Sequence, residues 1–134
     1  MKLYLPFPPS VNTYWRAPSR GPLAGRHLVS ARGRAFHIEC RARVLEQLRR
    51  YPVPMAGDLS VHVVLYPPTR ARRDLDNFFK APLDSMTKIG IWHDDSQIKK
   101  LTSEFGEVVK GGCVEIVIQP FTSEPKKLPL AEKT

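Results

Sequence analysis

Three stretches of this chain alternate apolar and polar residues with a period of two, and two others repeat apolar residues at helical spacing. In Leu59–Tyr66, Val61, Val63 and Leu65 share one face, as in a half-buried strand. In residues 113–119, Val114, Ile116 and Ile118 make the clearest alternating face. Residues 2–7 also alternate and predict a short edge strand, ended by Pro6, Pro8 and Pro9, because proline cannot donate to a ladder. Residues 98–107 read as a further strand, and Gly111-Gly112 predicts a hairpin joining it to 113–119. Ser30 is a plausible N-cap for a helix running to about Arg50, with Ala31, Ala35, Ile38, Ala42 and Leu45 on one stripe. A second helix is expected over 76–89 with the stripe Phe79, Leu83 and Met86. Pro82 should kink it or limit its first turn, and Gly90 suits its C-terminal end.

The expected order is strand, helix, strand, helix, strand, strand. That is an α+β domain: a small mixed sheet of about four strands with two main helices packed on it. With 134 residues, of which 42% are hydrophobic, one core is the expectation: a single domain over 1–120 and a flexible tail over 121–134. Residues 17–29 hold Pro18, Gly21, Pro22 and Gly25 and read as a loop. There is no signal-peptide pattern and no apolar run long enough for a bilayer, so a cytoplasmic protein without a membrane partner is expected. Cys40 and Cys113 have no CxxC neighbour and read as buried free thiols.

Charge changes the picture. The formal net charge is +8, which favours a polyanionic partner, nucleic acid before membrane. No Asp or Glu occurs before Glu39, whereas Lys2, Arg16, Arg20, Arg26, Arg32 and Arg34 do. Arg16, Arg20 and Arg26, in and beside the first loop, suit phosphate contact. Tyr14 and Trp15 suit base stacking, and equally suit capping the core. Arg32, Arg43 and Arg50 on one flank of the first helix, and Arg34 and Arg41 on the other, are what a solvated helix shows, but balancing acids are missing there.

Against this basic background the acids of 70–97 stand out. Arg70, Arg72 and Arg73 lead into Asp74-Leu75-Asp76-Asn77, Lys80 follows, and Asp94-Asp95 come after the second helix. Asp74 and Asp76 put both carboxylates on one side only if their segment is extended. Hard carboxylate oxygens suit Mg²⁺ or Mn²⁺, which neutralises a scissile phosphate and activates water. Lys80 lies four residues after Asp76 and could stabilise the pentavalent phosphate. The plainer account is a helix cap with a surface ion pair. Asp84 falls outside the ligand set and is expected to be dispensable for cutting.

The segment RRDLDNFFKAPLDSMTKIGIWHDDSQI resembles the signature region of the RusA family of Holliday-junction resolvases. LPFPPSVNTYWR and HLVSARGRAF resemble that family's opening segments in the same order, so the likeness covers most of residues 3–119. It implies a RusA-like fold and a homodimeric, Mg²⁺-dependent, structure-selective endodeoxyribonuclease. Such an enzyme resolves four-way DNA junctions by paired symmetric nicks in recombination and repair. It also implies Asp74, Asp76 and Asp95 as catalytic metal ligands with Lys80 assisting. Asn77 and Asp94 match motif positions of less defined role, with Asn77 grouped with Arg16, Arg20, Arg26, Arg70, Arg72 and Arg73 on the DNA side. Pro82 departs from the pattern. Two other readings stay open: a broader nuclease for branched or flap DNA of phage origin, and a non-catalytic DNA-binding module.

Overall fold

The computed structural model describes residues 1–122 and 124–130. In chain order the elements are β1 (Lys2–Leu5), a short helix α1 (Val11–Tyr14), β2 (Trp15–Arg16), β3 (Leu28–Val29), the long helix α2 (Ala31–Leu48), β4 (Leu59–Tyr66), α3 (Lys80–Ile89), β5 (Ile98–Phe105) and β6 (Cys113–Pro120). Two 3-10 turns, Leu75–Phe78 and Asp95–Gln97, bracket α3. The α+β class and the mixed four-stranded sheet are as the sequence predicts.

The sheet runs β1-β6-β4-β5, antiparallel except for the parallel pair β4–β5. The predicted hairpin of the last two strands does not form: β4 lies between them. The reason lies in what each strand can bury. Val114, Ile116 and Ile118 are fully buried and face Leu65, Val63 and Val61 of β4 across one ladder. On the other side Ile116 and Val114 meet Leu3 and Leu5 of β1. Such a face belongs at the sheet centre. In β5, Leu101 and Phe105 are 39% and 40% exposed, so that strand belongs at the edge. Gly111 and Gly112, at φ +80° and +69°, still turn the chain, but carry it to the far side of β4.

The helical stripe of α2 also differs from the expected one. Gly33, Phe36, Cys40 and Val44 are buried, whereas Ala31, Ala35 and Ala42 are exposed, Leu45 is half-buried and Ile38 is 72% exposed. Both sets recur at helical spacing. The one carrying Phe36 and Val44 removes more apolar area from water and faces the sheet. Burial pushes the Cys40 thiol up to about 12, so it is an inert part of the core. Cys113, the other free thiol, is half-buried in β6. Ser30 caps α2 as expected, its Oγ accepting from the Gly33 amide at 3.0 Å.

Three smaller differences concern ends. β1 stops at Leu5, before Pro6, instead of reaching Phe7. Residues 75–78 form a 3-10 turn, and the α-helix starts only at Lys80. Pro82 therefore falls in the first turn of α3, where its missing N–H leaves no gap, and it limits the helix start without interrupting it. Gly90 ends α3 at φ +92°, its amide donating to the Met86 and Thr87 carbonyls. No helix of the described residues is long and apolar enough to cross a membrane.

Candidate active site and nucleic-acid interface

Two arginines of the basic run and the first acid meet at an open hollow of about 500 Å³, lined by Ser10, Arg72, Arg73, Asp74, Asn77 and Phe78. Asp74 has extended backbone (φ −94°, ψ 128°) and caps the 3-10 turn Leu75–Phe78, which holds Asp76 and Asn77. Its carbonyl accepts from the Asn77 amide at 3.1 Å. Phe78 anchors the turn: it is buried and its ring lies 5.3 Å from that of Phe7. The Asp74 and Asp76 side chains stay exposed.

The basic residues divide by task. Arg73 is half-buried and donates to the Thr69 carbonyl (2.9 Å), the Ala71 carbonyl (3.0 Å) and the Thr69 hydroxyl (3.0 Å), with its guanidinium 5.6 Å over the Phe7 ring. It braces the loop. Arg70 and Arg72 project from the loop, exposed and without such bonds among the described residues. Arg16, Arg20 and Arg26 are exposed on the first loop, whose ends are clipped by the β2–β3 pairing, and none of them lines the hollow.

The second acidic pair sits on a built turn. Trp92, 1% exposed, donates from Nε1 to the Thr87 hydroxyl at 2.7 Å and fixes the chain leaving α3. Gln97 accepts from the His93 and Asp94 amides (2.8 and 3.0 Å) and donates to the Met55 and Gly57 carbonyls (2.9 and 2.8 Å). Asp94 completes a reciprocal capping box with Gln97. Its carboxyl also accepts from the Ser96 hydroxyl, which with the local amides holds its pKa below the ordinary carboxylate value. Asp94 is thus occupied as a cap, while Asp95 is exposed and has no salt bridge among the described residues. His93 is exposed.

Both acid-bearing turns pack against α3. Carboxylate oxygens are the donors that Mg²⁺ or Mn²⁺ take, usually one or two from the protein with the rest from water and phosphate. Among the described residues no three Asp, Glu, His or Cys side chains converge closely enough to hold an ion by themselves. Asp74, Asp76 and Asp95 are thus not brought together into one closed ligand group, and an ion bound by any of them would take its remaining oxygens from water and substrate. The hollow holds Asp74 with Arg72, Arg73 and Asn77; Asp76, Asp95 and Lys80 lie outside its lining.

Lys80 is not paired with Asp76. Its Nζ lies 3.1 Å from Asp84 Oδ1 and 5.5 Å over the Trp15 ring. Asp84, expected to be a bystander, also accepts from the buried Tyr14 hydroxyl at 2.8 Å. Tyr14 is therefore a core residue rather than a base-stacking one. Trp15, half-buried, serves as the platform for Lys80.

A family model described as Endodeoxyribonuclease RusA matches residues 6–119. The chain belongs to the RusA family. A crossover junction endodeoxyribonuclease RusA of Escherichia coli strain K12 is 36% identical over 120 residues, covering 90% of this chain and 94% of that protein. Relatives of the same description from Enterobacteria phage 82 and Shigella sonnei are 35% and 34% identical over the same shares. The RusA match includes both acid-bearing turns, the basic loop and α3. Missing from the sequence reading was the group behind Lys80. Tyr14, His37, Asp84 and Ser85 come from three helices, and no local spacing signals their meeting.

Proposed function

We propose that this chain is a divalent-metal-dependent endodeoxyribonuclease that resolves four-way DNA junctions, acting as a homodimer in the cytoplasm. Its RusA membership supports the reaction class. The observation that carries the reading to this chain's own residues is the hollow where Asp74 stands beside Arg72, Arg73 and Asn77. A carboxylate among guanidiniums that it does not neutralise is an arrangement suited to a phosphate and its counter-ion together.

In this reading Asp74, Asp76 and Asp95 are the carboxylates from which Mg²⁺, or Mn²⁺ in its place, would take its protein ligands, with water and phosphate oxygens completing the ion. The bound ion supplies charge neutralisation at the scissile phosphate and an acidified water. The chain's own residues do the rest. Arg70 and Arg72 meet the flanking phosphates, with Arg16, Arg20 and Arg26 meeting an adjacent arm. Asn77 contributes a neutral donor at the hollow, and Arg73 keeps the loop in shape for them. Lys80 presents a fixed ammonium to the charge that develops on phosphate, a contact of a kind typically worth roughly 3–4 kcal/mol. One copy offers one such site, and two symmetric nicks need two, which a C₂ dimer supplies. The unpaired outer edge of β5, with Leu101 and Phe105 partly exposed on it and Val108 just beyond, supports a self-association surface. Residues 1–120 form the nuclease domain in this reading. The tail from residue 121, of which 123 and 131–134 lie outside the described residues, carries none of the proposed chemistry.

The test is a panel of four-way junction, flap, duplex and single-stranded DNA incubated with Mg²⁺, with and without EDTA. Paired symmetric cuts confined to the junction and abolished by EDTA are expected. Equal cutting of flaps would favour a broader branched-DNA nuclease, and cutting that survives EDTA would refute the metal-dependent reading.

A further inference from the structure

We infer that Asp84, held by Tyr14, His37 and Ser85, is the positioning residue for the Lys80 ammonium; this rests on the reading of Lys80 as the lysine that meets the scissile phosphate. An exposed Lys–Asp pair four residues apart on a helix would ordinarily contribute little and hold its lysine loosely. This pair is different because its carboxylate is tied from behind. Asp84 Oδ2 accepts the Tyr14 hydroxyl at 2.8 Å, and Tyr14 is fully buried.

The proton order along the chain follows from counting donors. Tyr14 has one hydroxyl proton, and it goes to the carboxylate, which can only accept. The contact between Tyr14 Oη and His37 Nε2, 2.9 Å, must then be donated by the imidazole. That fixes the Nε2–H tautomer and leaves Nδ1 as an acceptor for the buried Ser85 hydroxyl. Burial and then the charge of Lys88 keep the His37 pKa below its ordinary value, with Asp84 opposing, so the neutral ring this order needs is the favoured one. Burial first, then the bond to Asp84, raises the Tyr14 phenol well above its ordinary range, so it stays a donor.

The result is a single directed chain: Ser85 to His37, His37 to Tyr14, Tyr14 to Asp84, and Lys80 onto the free carboxylate oxygen. It draws on α1, α2 and α3, so the lysine is referenced to the core and not only to its own helix. The Trp15 ring, 5.5 Å away, restrains the ammonium from a second side. The Lys80 side chain keeps 41% exposure, so the group held in place remains open to an incoming phosphate. Pre-setting a charge in this way is where an electrostatic contact gains over a mobile surface lysine.

The experiment combines single-turnover cleavage of a four-way junction in Mg²⁺, junction binding in Ca²⁺, and the ¹H–¹⁵N resonance of the Lys80 ammonium in the free protein. Tyr14→Phe removes one oxygen and Asp84→Asn one charge. Each is expected to slow cleavage roughly ten- to a hundredfold with binding unchanged, and to shift the ammonium resonance. In a Lys80→Ala background neither should slow cleavage further. The same fold-loss in both backgrounds would mark a general structural effect and overturn the inference. So would an ammonium resonance that stays in place in both variants, whatever the cleavage rates. Cleavage at the unaltered rate by Lys80→Ala itself would refute the catalytic reading of the lysine, and the resonance would still decide whether Tyr14 and Asp84 position it.

Discussion

Asp94 and Asp95 are neighbours in sequence with different surroundings. Asp94 closes a capping box, whereas Asp95 faces solvent. Asp94→Ala is therefore expected to lower the melting temperature and leave junction cleavage largely intact. Asp95→Asn should do the reverse, and thermal melts run beside cleavage assays separate the two. His37 gives a pH signature. Its folded pKa lies below the unfolded value of about 6.5, so its contribution to stability is complete above that pH. It is lost as pH falls through the lowered folded value, because the unfolded chain takes up the proton first. Melting temperatures of the unaltered protein and His37→Gln should converge as pH falls from 7 to 5; a constant gap would contradict the neutral-ring assignment. At this scale the acids and arginines of 70–97 were legible, because residue type and local spacing identify them. The bonds from Tyr14 to Asp84 and from His37 to Ser85 span 70 and 48 residues and have no local trace.

Strand β6 shows how an element's place follows from its burial. Its inward residues meet apolar partners on both sides, with Ile116 between Val63 and Leu3. Ile116→Ala should cost about 2–5 kcal/mol in chemical denaturation, and the same change at the exposed Ile38 of α2 should cost far less. A smaller loss at Ile116 than at Ile38 would contradict the assigned packing of both elements. Alternation in β4 and β6 was readable from the sequence, as were the start of α2 and the end of α3, since Ser30 and Gly90 are local signals. Pairing was not. A glycine pair shows where the chain turns but not which strand edge it reaches. Helical spacing in α2 fits two interleaved stripes, and contact with the sheet selects the one holding Phe36 and Val44.

The whole molecule carries a surplus of eight positive charges and places Arg16, Arg20, Arg26, Arg70 and Arg72 on its exposed surface. Junction affinity should fall steeply with salt, with a log–log slope near −5 if about six phosphates are neutralised. Arg72→Ala should weaken binding on junctions of different sequence by the same factor, since phosphate contacts carry no base information. The proposed division of labour is that the acids cut DNA and the neighbouring arginines hold it. Its most direct measurement is single-turnover cleavage of a synthetic four-way junction in Mg²⁺ beside gel-shift binding in Ca²⁺, for the unaltered protein, Asp74→Asn, Asp76→Asn and Asp95→Asn. Each variant is expected to fold, to lose cleavage, and to bind the junction as well as before or more tightly, because a carboxylate that repels phosphate has been removed. Full cleavage by a folded Asp76→Asn or Asp95→Asn protein, or loss of binding in step with cleavage, would contradict that division of labour.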